Sequence, residues 1–223
     1  MENILYLVVA TPGAGAFSLI ESATSEDSPL PNLYSNSSDQ LGSKNEKAGS
    51  FDVENGNVSF SGVNMSTGQD NFVFLSNSIP LADQIEAFVK LIEEKQEISM
   101  GRILTFLDSN ILPSPPHQFE EWVDAVSHFS DCMLFVNRTN ENASAIQRVI
   151  DRYGNMHYPM ETFILGKKNN PWSRILDPTP RRLSHVFDAP ELLDSEDLPE
   201  NDRFLAKIAT GDRKHRIPLP FAQ

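Results

Sequence analysis

Gly13 and Gly15, in the stretch ATPGAGAFSL (residues 10–19), are the groups of this sequence whose type and spacing best suit chemistry with a phosphate. Glycines this close together let backbone N–H groups turn toward a bound anion, and a helix that starts just after them adds the positive end of its dipole. The spacing approaches the pattern G-x-x-x-x-G-K-S/T, in which the lysine neutralises the β- and γ-phosphates and the hydroxyl holds Mg²⁺. Here Ala16 follows Gly15 and Phe17 follows Ala16, so cation and metal ligand are both missing. Ser18 does not replace the hydroxyl, because one more residue along a helix rotates the side chain by about 100°. Phosphoryl transfer rests on positioning and charge stabilisation, so the loop as written predicts no useful hydrolysis. What survives is Gly13, Ala14, Gly15, Ala16 and Ser18 as a relic phosphate-type turn. Its glycines serve the tight backbone first and weak anion binding second.

Other reactive side chains are scattered. Asp108 closes an apolar run and suits a turn cap better than a metal contact. His117, His128, His157, His185 and His215 show no pairing of the metal-ligand kind, and Cys132 lies within an apolar run as an inert thiol. Ser18 has no nucleophile-elbow context, so no catalytic residue is assigned. The basic cluster Arg213 to Arg216 follows an acidic stretch and is too short for nucleic acid.

The elements that must position the loop follow from hydrophobic periodicity. Ile4–Ala10 predicts a strand, and Phe17, Leu19, Ile20 and Ala23 the helix after the turn. Residues 24–50 are rich in Ser, Asn, Asp, Pro and Gly and predict a loop or disordered segment. Phe51–Val53 and Asn57–Phe60 flank Asn55-Gly56 as a short hairpin. Strands are expected at Asn71–Ser76, Arg102–Asp108, Cys132–Asn137 and Glu161–Leu165. Between them, Leu81, Ile85, Phe88, Val89 and Ile92 line one helix, begun by Ser78 and Pro80. Phe119, Trp122, Val123 and Val126 line a second, and Ile146, Val149, Ile150 and Tyr153 a third. Apolar strands alternating with one-sided helices imply an α/β fold, a mainly parallel sheet with helices on both faces in three layers. Ligand-facing groups then lie beyond the strands' C-terminal ends: residues 11–16, the turn Ser76–Pro80, Asp108 and the segment Asn137–Asn140. We expect residues 1–177 to form the domain and 178–223 a tail packed on or extending from it, with a short helix around Phe204–Ala209.

Composition narrows the classes. A chain of 223 residues with 39% hydrophobic content can bury one substantial core, and a net charge of -13 argues against nucleic acid. One cysteine fits a reducing compartment. Met1, Glu2 and Asn3 carry no basic residue ahead of the apolar run, and no run approaches the roughly 20 residues of a membrane span. The expectation is a cytoplasmic protein without membrane contact.

Four stretches in order resemble the CobW-like P-loop GTPases, a family that includes metal chaperones. ATPGAGAFSL is similar to that family's G-F-x-G-A-G-K-T-T-L, and ENGNVSF (54–60) to its metal-binding E-N-G-C-I-C-C. FVFLSNS (72–78) and RILTFLD (102–108) look like the strands carrying its switch residues, and FVNRTN (135–140) like its guanine-reading N-K-x-D. The resemblance implies a P-loop NTPase-like fold over residues 4 to about 165, and each motif has lost its reactive part. Asn57, Val58, Ser59 and Phe60 stand where the family has its cysteines, which leaves no thiolate for a metal. Leu75 falls near the acidic switch position. Asn137 is kept, but Arg138 replaces the lysine and Asn140 the aspartate, so guanine selectivity weakens.

The resemblance therefore implies a degenerate, catalytically silent GTPase-like protein that works through protein contacts. Its partner is a protein, a second copy or a related active GTPase. No cofactor or metal is expected beyond weak GTP, GDP or phosphate at Gly13–Ala16, Ser18, Asn137 and Asn140. The alternatives are a protein that still binds purine nucleotide through the turn, and a structural relic whose crevice is filled by Phe17.

Overall fold

The computed structural model describes residues 3–23, 31–39, 48–63, 65, 69–166 and 170–222. The apolar N-terminal run forms β1 (Asn3–Ala10), and the glycine turn leads into α1 (Ala16–Ala23). Then come β2 (Asn32–Asn36), the hairpin β3 (Ala48–Glu54) and β4 (Asn57–Ser61), and β5 (Asn71–Phe74). Helices and strands alternate after that: α2 (Leu81–Glu94), β6 (Ile98–Asp108), α3 (Phe119–Phe129), β7 (Cys132–Val136), α4 (Ala143–Asn155), β8 (Glu161–Ile164) and the single turn α5 (Trp172–Ile175).

The strands make one sheet in the order β4-β3-β2-β5-β1-β6-β7-β8. Every pairing is parallel except β3 with β4, which the Asn55-Gly56 turn makes antiparallel. Side chains alternate across a strand, so Leu5, Leu7 and Val9 of β1 join one core while Tyr6 and Val8 join the other. The first core receives α2, α3 and α4; the second receives Ile20 of α1 and Ile175 of α5. A sheet apolar on both faces is stable only when both are covered, and the three layers expected from the sequence are the ones found.

Three local expectations need correction. Residues 24–50 are not all loop, since β2 and the start of β3 lie within them; residues 24–30 and 40–47 fall outside the described residues. The polar ends of β2 concealed it. Asn32 Nδ2 donates to Asn71 Oδ1 at 3.0 Å and Asn36 Nδ2 to the Phe51 carbonyl at 3.2 Å, so these amides are satisfied inside the sheet beside buried Leu33 and Tyr34. Ser78 does not cap α2, whose N-cap is Pro80 with no side-chain hydrogen bond. Phe204–Ala209 is not a helix: Asp202 accepts from the Phe204 and Leu205 amides, the chain makes one turn, and Gly211 at φ +92° reverses it.

Residues 178–222 contain no long element, yet Val186, Phe204, Leu205 and Ile217 are buried in the first core. Buried charges hold the segment to the N-terminal ends of the strands. Arg102, 1% exposed, donates to the Thr179 and Arg174 carbonyls at 2.9 Å each and to Glu161 Oε2 at 3.0 Å. Asp131, fully buried just before β7, accepts from the Ile103 and Arg181 amides and pairs with Arg182. Asp202 accepts from Ser184 Oγ and shares a 2.7 Å hydrogen bond with His128 Nε2.

Candidate functional site

The site is built at the C-terminal ends of β1, β5, β6 and β7. Thr11 fixes the chain as it leaves β1: its amide donates to the Phe106 carbonyl at 3.0 Å and its hydroxyl accepts from the Asp108 amide at 2.7 Å. The turn closes when the Ala14 amide donates to the Thr11 carbonyl, and α1 begins with Leu19 N donating to Gly15 O. Gly13 and Gly15 sit at φ +82° and +63°, the left-handed region where a side chain is strained.

Asp108 lies against this turn. A Cβ on Gly13 would stand 2.6 Å from Asp108 Oδ2, so only glycine fits there with the carboxylate in place. Asp108 Oδ1 caps the short 3-10 turn Ser109–Ile111 through the Asn110 amide at 3.0 Å, and also accepts from Asn137 Nδ2 at 3.0 Å. The same Nδ2 donates to the Gly13 carbonyl at 3.2 Å. Asn137 is itself left-handed, at φ +56°, and its carbonyl accepts from Asn142 Nδ2. Three strand ends are thereby tied by amides and one carboxylate.

Beside the turn opens a crevice of about 660 Å³. Gly13, Gly15 and Ala16 of the expected residues line it, together with Thr11, Asn77 and Ser78. Ala14 is buried toward the core; Ser18 and Asn140 are exposed and do not line the crevice. Asn137 braces the turn from behind. Leu75 after β5, singled out in the sequence near the switch position, is also on the walls, and two groups invisible to local sequence reasoning complete them: Asp39 after β2 and Phe221 from the far end of the chain. Phe17 stacks obliquely on Phe74, ring centroids 5.3 Å apart.

The electrostatics are one-sided. Among the described residues that line the crevice none is Lys, Arg or His, and Asp39 is the only charged one. Ser76 Oγ donates to Asp39 Oδ1 at 3.0 Å and fixes that carboxylate. Ala16, where the lysine would stand, is buried. A bound triphosphate would face a carboxylate with only backbone amides to offset its charge.

The residues at the place of the family's metal motif form β4, where Asn57 Oδ1 accepts from Lys90 Nζ. Among the described residues no three His, Cys, Asp or Glu side chains gather as a metal site would need. Cys132, fully buried, lies 3.3 Å from Arg102 Nη1, and burial pushes its thiol up to about 12 against the pull of that guanidinium. No described helix is long and apolar enough to cross a membrane.

The strand order, the glycine turn between β1 and α1 and the ligand-side crevice define a P-loop NTPase-like α/β fold. No family model matches the sequence, and no curated protein matches it. Among solved structures, the Zn(II)-bound YjiA GTPase from E. coli is similar at a TM-score of 0.50 and 10% identity, over 88% of this chain and 69% of that one. A Zn(II)-bound triple mutant of YjiA GTPase gives the same TM-score and identity over 84% and 65%. The fold implied by the resemblance to CobW-like GTPases is the fold found, and at this identity the likeness is one of fold.

Proposed function

We propose that the protein is a catalytically silent relative in fold of the P-loop GTPases, acting in the cytoplasm through contacts with other proteins. The observation that carries this reading is the crevice beside Gly13–Phe17, whose described lining holds no cation and one carboxylate. Phosphoryl transfer needs its developing charge stabilised, and loss of a single such donor in other enzymes reduces the rate by about 10²–10³. Here Ala16 and Phe17 replace both the phosphate-neutralising and the Mg²⁺-binding side chain. The scaffold around them remains complete, which favours recognition by surface over chemistry. The open volume of the crevice weighs against a relic already filled by Phe17.

Calorimetry of the full chain with GTP, GDP and ATP, each with Mg²⁺, tests the silent half of the proposal. No heat of binding is expected, and about micromolar affinity for any of them would overturn it. Light scattering on the purified chain, followed by affinity capture with mass spectrometry, tests the other half. A monomer that captures nothing reproducibly counts against action through protein contacts.

A further inference from the structure

We infer that the crevice beside the glycine turn binds an organic cation, an ammonium or guanidinium group carried on a hydrocarbon body. The inference rests on the reading that a triphosphate no longer occupies this space. Three observations converge on it. Asp39 is the sole charge on the described walls, half-buried and held in place by the Ser76 hydroxyl. Phe17, Phe74 and Phe221 line the same crevice, and the face of an aromatic ring carries negative potential that attracts a cation. Asn77 and Ser78 bring polar atoms to the same walls, within a volume suited to a small ligand or one long side chain. Carboxylate and rings favour the same sign of charge, and the net charge of -13 draws a cation toward the protein from a distance.

Phe221 also links the crevice to a reporter. Its ring meets Trp122 edge-on at 5.2 Å and 90°, so an occupant that touches Phe221 changes the surroundings of that indole. The chain has two tryptophans, and Trp172→Phe leaves Trp122 as the sole emitter.

The test titrates agmatine, tetramethylammonium and a Gly-Arg-Gly peptide into this variant, and follows backbone amide shifts in the unaltered protein as a second readout. A saturable change in Trp122 emission is expected at about 1 mM or below for at least one probe. The amides of residues 11–17 and Asp39 should shift with it. Asp39→Asn should weaken binding about tenfold and Phe17→Ala several-fold. Tighter binding of the peptide than of agmatine assigns the cation to a partner's side chain; the reverse assigns it to a free amine. No saturable binding by any of the three, or binding unchanged by Asp39→Asn, overturns the inference. Calorimetry with nucleotides separates the two failures. Nucleotide binding defeats the silent-GTPase reading, whereas silence toward both nucleotides and cations defeats only the cation site.

Discussion

The two ends of the sheet carry charge for opposite purposes. At the C-terminal ends of the strands, where a ligand of this fold would sit, the described crevice walls hold one carboxylate and no base. At the N-terminal ends Arg102, Asp131, Arg182, His128 and Asp202 are buried and, apart from the unpartnered Arg182 Nε, hydrogen-bonded or ion-paired, and each of them fastens the segment after residue 177 to the domain. One end is open and poor in charge; the other is closed and rich in it. A buried ion is costly unless paired, so the closed end must keep its partners, whereas the open end tolerates loss of a cation without cost to the fold. The difference explains how this architecture can stand with no cation on the described walls of its ligand-side crevice.

Breaking the closed end should have the largest effect. Arg102→Ala takes the donor from two backbone carbonyls and leaves Glu161 with Arg174 alone, and each buried acceptor left unsatisfied costs about 1–3 kcal/mol. Urea unfolding should show that loss; a change within about 0.5 kcal/mol would mean the closed end is not what holds the segment. At the open end the turn itself is the sensitive part. Gly13→Ala combines left-handed strain with a contact against Asp108 and should cost about 2–3 kcal/mol. Gly15→Ala, at φ +63° with nothing within 4 Å of the added carbon, should cost about 1 kcal/mol. Equal losses at the two glycines would remove Asp108 from the argument.

A smaller effect is expected from acid. Burial pushes the Glu161 carboxyl up, but hydrogen bonds from Arg174 and Arg102 outweigh it and hold the group below the ordinary carboxylate range. Unfolded Glu161 therefore binds its proton at higher pH than folded Glu161. Its contribution is complete above the ordinary carboxylate range and is lost as pH falls through that range toward the folded value. Glu161→Gln should be less stable at neutral pH and show a shallower decline in thermal midpoint on acidification; a parallel decline would refute the pairing. The least effect concerns Cys132, whose buried thiol should resist iodoacetamide at pH 8 until the chain unfolds. Rapid labelling of the native protein would show the closed end to be open.

Much of the fold was legible because its signals are local. The apolar run of β1, the glycine turn and the one-sided patterns of α2, α3 and α4 each lie within one stretch of chain. β2 was not legible, because Asn32 and Asn36 look like loop residues until Asn71 and Phe51 satisfy them across the sheet. The tail escaped reading for a similar reason. Its few apolar residues have no period, and Val186, Phe204, Leu205 and Ile217 find their burial against helices far back in the chain.

The candidate site divides the same way. Neighbouring residues are enough to establish that Ala16 and Phe17 stand where a cation and a hydroxyl would be needed, and that Gly13 and Gly15 make the turn. It takes the packed fold to show that Asp39 and Phe221 share that crevice, that Asn137 braces the turn, and that Ser18 and Asn140 stand outside it. The physical reason is distance along the chain. A turn is set by the dihedral limits of adjacent residues, but the potential inside a crevice is a sum over whatever the packed fold brings to its walls.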